Sequence, residues 1–140
     1  MRCLVYLSHE RRAMTRSDLH DILRASRIKN TVAGVTGVLV YDQGTFIQVL
    51  EGDAHAVGAL FETIRGDRRH AGVEVLLDVE TDRRTFSEWS MAFIEADSLP
   101  PNERWLTRSL STPLPALGAG AVADRVRALM AEWPAHLSAA

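Results

Sequence analysis

Several polar side chains in this sequence stand where a dry core would take aliphatic ones. Gln48 lies in the run GTFIQVLEG, residues 44 to 52, between Ile47 and Val49, with Phe46 and Leu50 two positions away on its own face. Tyr6 shares a face of the run RCLVYLS with Leu4 and Ser8. Ile22, Ser26 and Asn30 recur at i, i+4 and i+8, a row along one helix that is apolar at one end and polar at the other. An unpaired buried amide costs roughly 1–3 kcal/mol, so a glutamine in such a run needs a partner. A phenol and two primary amides facing a common space suit a planar heterocycle with carbonyls and ring nitrogens. Each residue alone has a plainer reading. A strand tyrosine commonly packs its ring and sends its hydroxyl to the surface. A lone strand glutamine commonly faces solvent at an edge, and Asn30 suits the left-handed end of a helix.

The elements that would position these residues follow from the pattern of apolar positions. Residues 2–8 are rich in β-formers and read as a first strand. The basic stretch His9 to Met14 reads as a loop. Thr15 or Ser17 then caps a helix that runs to about Lys29, with Leu19, Ile22 and Leu23 at helical spacing. Residues 35–41 and 45–51 are two strands joined by Asp42-Gln43-Gly44, a hairpin. Asp53 caps a second helix with Val57, Leu60, Phe61 and Ile64 on one stripe, closed by Gly66-Asp67. Residues 73–80 and 89–95 give strands four and five. The order β-α-β-β-α-β plus one further strand predicts an α+β, ferredoxin-like sheet, mixed or antiparallel, with two helices on one face. This unit occupies residues 1–97. Residues 98–140 read as a helical appendage: a helix near 102–110, a Pro-, Gly- and Ala-rich linker from 111 to 120, and a helix of about 121–132 that stops before Pro134. The apolar stripe Val122, Val126, Leu129 and Met130 is expected to pack on the opposite sheet face or on another subunit.

Bulk properties exclude several classes. A net charge of −2 offers no basic surface for nucleic acid. The histidines are scattered, and none pairs with a cysteine or carboxylate at a zinc-like spacing, so no metal site is expected. A single cysteine, Cys3, excludes an internal disulfide and fits a reducing compartment. No apolar run approaches the ~18–20 residues that span a membrane. The N-terminus enters a strand directly, without a signal-peptide pattern. A cytoplasmic protein without membrane contact is expected.

At these residues the sequence resembles the BLUF family, the blue-light sensors that use FAD. The similarity runs from Leu4 to about Phe93. It rests on VYLS around Tyr6, Asn30 followed by GVTGVLVY, the run GTFIQVLEG, RGDRRH at 65–70 and FSEWSM at 86–91, in matching order and separation. The resemblance implies a flavin held between the two helices against the sheet, with FAD the cofactor and FMN or riboflavin as substitutes. Tyr6 and Gln48 would be the photochemical pair. Light excites the flavin, an electron and then a proton leave Tyr6, and recombination leaves the Gln48 hydrogen bonds rearranged and the absorption shifted to the red. The resemblance gives Asn30 the ring edge to hold, and puts Ile22, Ser26 and Lys29 in the same pocket. Leu39, Phe46 and Ile64 would pack on the ring, Asp67 and Arg69 would contact the ribityl-diphosphate part, and Trp89 and Met91 would carry the signal to strand five. Lys29 departs from the Asn or His that many members carry before the flavin-binding asparagine.

The expectation is a short stand-alone photoreceptor rather than an enzyme, since only about 40 residues follow the sensor unit. Its output would pass to an effector protein in trans or through its own homo-oligomer. An acylphosphatase-like hydrolase would need glycines that HERRAM lacks. An RNA-recognition module would need exposed aromatics and a basic balance that are absent.

Overall fold

RCLVYLSHE and TFIQVLEG carry apolar side chains on both faces, which suits strands in the middle of a sheet. The computed structural model, which describes residues 1–42, 44–84 and 90–95, puts them there. Its elements are β1 (Arg2–Glu10), α1 (Arg16–Ala33), β2 (Thr36–Asp42), β3 (Thr45–Gly52), α2 (Ala54–Arg65), β4 (His70–Glu80) and β5 (Ala92–Glu95). The sheet order is β4-β1-β3-β2-β5, so β1 and β3 are neighbours at its centre. β1 pairs antiparallel with β3 and β4, and β2 antiparallel with β3, while β5 adds parallel to β2. The predicted ferredoxin-like arrangement is therefore present, as a mixed sheet.

Both helices lie on one face. Leu19 and Leu23 of α1 and Val57 and Phe61 of α2 share a core with Leu4 and Tyr6 of β1, Leu39 of β2, and Phe46 and Leu50 of β3. Fully burying one such aliphatic side chain contributes about 1.5–3 kcal/mol. The other face, with Cys3, Val5, Leu7, Val38, Val40, Ile47 and Val49, is buried as well. Burial there, with Glu51 and Asp78 adding to it, pushes the Cys3 thiol up to about 12, so it stays protonated and unreactive. Gly37 of β2 leaves no room for a side chain: a Cβ there would sit 1.8 Å from the Val49 carbonyl oxygen.

Caps set the helices. Thr15 and Asp18 form a reciprocal capping box, the Thr15 Oγ1 accepting from the Asp18 amide at 3.1 Å and the Asp18 carboxylate accepting from the Thr15 amide at 3.0 Å. The Asp53 carboxylate accepts from the amides of His55 and Ala56 at the start of α2.

Several boundaries differ from expectation. β1 continues to Glu10 and β4 begins at His70, not residue 73, because these extensions pair with each other across irregular register (His9 with Ala71, Glu10 with His70). α1 runs past Lys29 to Ala33: the stop is Gly34, left-handed at φ 68°, a conformation glycine adopts without strain. Asn30 therefore lies inside the helix. β5 begins at Ala92, not residue 89, since Ser90 and Met91 bend toward α1 and give their carbonyls to its side chains. The residue after β4's turn, Arg84, donates to the carbonyls of Gly34 and Glu51 and to the Thr36 hydroxyl. Trp89, the appendage helices and the linker lie outside the described residues.

Candidate functional site

Antiparallel register sets Tyr6 directly opposite Gln48, and Gln48 opposite Leu39. Alternation turns all three toward the helices together with Phe46. α1 brings Ile22, Ser26, Lys29 and Asn30 over them, and α2 with the turn after it brings Ile64, Asp67 and Arg69. All these residues line one cavity, of the concave, mostly apolar kind in which small molecules bind. Met14, Ala25, Leu60, Thr63 and His70 complete the lining.

The inner end is dry and networked. Tyr6 and Gln48 are 3% and 4% exposed, and Asn30 is 1% exposed. The Tyr6 hydroxyl donates to Gln48 Oε1 in a short hydrogen bond. Gln48 Nε2 donates to the Met91 sulfur at 3.5 Å, a weak partner that leaves most of the amide's donor capacity open. Asn30 Nδ2 donates to the Ser90 carbonyl at 2.7 Å, and among the described residues its Oδ1 has no hydrogen-bond partner. Arg27, one turn back on α1, donates through Nε to the Met91 carbonyl at 2.9 Å. Burial, with the charge of Asp67 adding to it, holds the Tyr6 phenol well above its ordinary pKa, so it is neutral at any physiological pH.

His70 had no role in the sequence pattern beyond closing RGDRRH. It is 9% exposed and packs edge-on against the Tyr6 ring at 6.3 Å. Its Nε2 lies 2.6 Å from the Ile64 carbonyl, which can only accept, so that nitrogen carries a proton; Nδ1 lies 2.7 Å from the Ser8 hydroxyl. The histidine thus ties β1, α2 and β4 together behind the tyrosine. Phe61 also packs against the Tyr6 ring, tilted, with the centroids 5.5 Å apart. A strand read from residue 70 would have placed His70 beside β1, but its pairing with Ser8 is a product of the fold.

The mouth is charged. Asp67 and Arg69 are bound to each other, Arg69 Nη2 donating to the carboxylate at 2.5 Å and Nε at 3.0 Å. That pairing holds the Asp67 carboxyl below its usual range, against an opposing effect of burial. Met91 touches Gln48, and Trp89 lies outside the described residues.

The residues present fit a planar, hydrogen-bonding ring. Gln48 Nε2 and Asn30 Oδ1 offer a donor and an acceptor within an otherwise apolar slot formed by Leu39, Phe46, Ile22 and Ile64. A side-chain amide facing a dry slot with part of its capacity unused costs stability unless a ligand completes it.

Comparison with known proteins bears on what that ligand is. The family model described as "Sensors of blue-light using FAD" matches residues 1–92. A solved structure of BlrB, described as a BLUF protein in its dark state, superimposes with a TM-score of 0.75 at 33% identity, covering 93% of this chain and 95% of that one. The photo-activated state of BlsA gives a TM-score of 0.76 at 28% identity with the same coverage. The photoactivated adenylate cyclase subunit beta of Euglena gracilis is 33% identical over 123 residues, which is 81% of this chain and 14% of that protein. The chain thus spans only a small part of the curated relatives it matches.

Proposed function

This chain belongs to the BLUF family of blue-light sensors that use FAD, and on that premise we propose that it is a photoreceptor in which Tyr6 and Gln48 perform the primary chemistry. The observation that carries this reading is the short hydrogen bond from the Tyr6 hydroxyl to Gln48 Oε1 at the closed end of the cavity. Ile22, Ser26, Asn30, Leu39, Phe46 and Ile64 would hold the flavin ring, and Lys29, Asp67 and Arg69 stand at the mouth. The bound flavin supplies light absorption and an acceptor for one electron.

The chain's own residues do the rest. Tyr6 holds its proton in the dark, because burial disfavours the phenolate. A phenol that loses an electron becomes strongly acidic, and the Gln48 oxygen is already in place to take the proton. An amide has an acceptor end and a donor end, so exchanging them reverses the hydrogen-bond pattern with little movement. Such an exchange would break the contact from Gln48 Nε2 to the Met91 sulfur. Met91 directly precedes β5, whose partner β2 carries Leu39 opposite Gln48. A change at Gln48 therefore reaches β5 through one side chain. Signalling then passes to a partner protein, or through self-association of the sensor.

The test is an absorption spectrum of the purified protein in the dark and after a blue pulse. A flavin spectrum that shifts to the red and relaxes thermally is expected. A bound flavin that bleaches or does not respond would overturn the photochemical reading.

A further inference from the structure

α1 buries Leu19, Leu23 and Asn30 against the sheet and leaves an apolar strip on its far side. Ala25, Ile28 and Val32 are all exposed there. Val32 is 86% exposed and Ile28 63%, the two most exposed large apolar side chains among the described residues, and they stand one turn apart. Neither local propensity nor burial accounts for them. Isoleucine and valine are weaker helix formers than alanine or leucine, and at these positions they gain nothing from the core. Thr31, beside them, turns its hydroxyl back to the Arg27 carbonyl at 2.7 Å and so asks for no partner of its own.

The spacing is that of a helix–helix seam. Ala25, Ile28 and Val32 are separated by three and then four positions, as at the a, d and a sites of a heptad. Arg24 and Lys29 then take the flanking g and e sites. Both are exposed, and neither has a hydrogen-bond or ion-pair partner among the described residues. Asp21, one turn before Ala25, ends the apolar strip. A seam bordered by two unpaired cations selects its partner by charge. A second copy of α1 fits badly: in a parallel pair Arg24 would face Lys29 of the other copy, and in an antiparallel pair each cation would face its own kind. A helix with acidic borders satisfies both cations. This basic character is local, since the whole chain carries a net charge of −2.

We infer that the outer face of α1 docks an amphipathic helix of another protein, with aliphatic residues along one stripe and glutamate or aspartate at its borders. The inference supplies the kind of partner to which the proposed sensor passes its signal, and it rests on that reading only for its purpose. Arg27 and Asn30, on the same turns of α1, hold the Met91 and Ser90 carbonyls. A helix seated on Ile28 and Val32 is therefore joined through α1 alone to the segment that Gln48 touches.

The flavin-loaded protein is titrated in the dark with two labelled helical peptides of about three heptads. Both carry leucine at a and d; one has glutamate and the other lysine at e and g, and anisotropy reads binding. The glutamate peptide is expected to bind more tightly by about tenfold or more, because like charges set against each other across an interface are costly. Ile28→Asp together with Val32→Asp should weaken that peptide by about tenfold or more, since it places charge in an apolar seam. The flavin spectrum and the thermal midpoint of the double variant should stay unchanged, as both side chains already stand in water. Arg24→Glu should narrow the preference between the two peptides. Equal binding of the two peptides, binding that survives the double substitution, or no binding of either would overturn the inference. So would sedimentation showing that the protein pairs with itself through this face and that the double variant abolishes the pairing. Because the titration is made in darkness, none of these outcomes touches the photochemistry of Tyr6 and Gln48, which the absorption test reads separately.

Discussion

The two ends of the flavin cavity are built on opposite principles. At the inner end Tyr6, Gln48 and Asn30 are almost wholly buried, neutral, and bonded to one another or to the segment before β5. At the mouth Asp67 and Arg69 are charged, partly exposed and bound to each other. In a dry site each hydrogen bond is electrostatically strong and each lost partner is costly, so a change of one proton there can move structure. At a wet mouth charges are screened and can grip without switching anything. On the proposed reading, chemistry belongs to the first end and retention to the second.

The largest break in that contrast comes from the inner end. Tyr6→Phe and Gln48→Leu keep the shape of the slot and remove one polar group each. Both variants are expected to retain flavin and lose the light-induced red shift completely, read by absorption after a blue pulse. A normal photocycle in either would erase the distinction between the ends. Next in size is Met91→Ala. Met91 is 1% exposed, and truncating a buried methionine costs about 2–5 kcal/mol, measured by denaturant unfolding; the dark recovery time should change with it, because Gln48 loses its sulfur contact.

The smallest effect is at the mouth. The hydrogen bond from Arg69 depresses the Asp67 pKa in the folded state. Its contribution to stability is therefore fully present above the unfolded value of about 3.9 and is lost as pH falls through the lower folded value. Asp67→Asn should remove that part of the acid-unfolding profile and leave stability near neutral pH changed by less than the Met91 cavity does. A larger loss near neutrality would make Asp67 part of the dry network after all.

Local pattern showed most of the frame. The runs around Tyr6 and Gln48 read as strands, and alternation put each beside the right apolar neighbours, because those are properties of a few adjacent residues. That Tyr6 faces Gln48 across the β1–β3 ladder is a matter of strand order, which spacing alone does not carry. Roles for the pair came from resemblance to a family. Asn30 was ambiguous for a physical reason: Thr31 and Val32 are weak helix formers, so the helix could have ended beside it, and it is Gly34 that supplies the stop. WSMAFIE has a uniform β-like composition, so its pattern carries the strand past the start of β5 at Ala92. Only the carbonyl partners on α1 reveal that Ser90 and Met91 leave the strand. The part His70 plays is not legible in local pattern, since its partner Ser8 lies 62 residues away.

Arg27 and Asn30 sit one turn apart on α1 and hold two successive carbonyls, those of Met91 and Ser90. Such a double tether acts as a threshold device. A small displacement of the segment stretches both bonds at once and is returned, whereas a displacement large enough to free one loosens the other. In the proposed sensor such a tether would favour two discrete placements of the segment over a graded one.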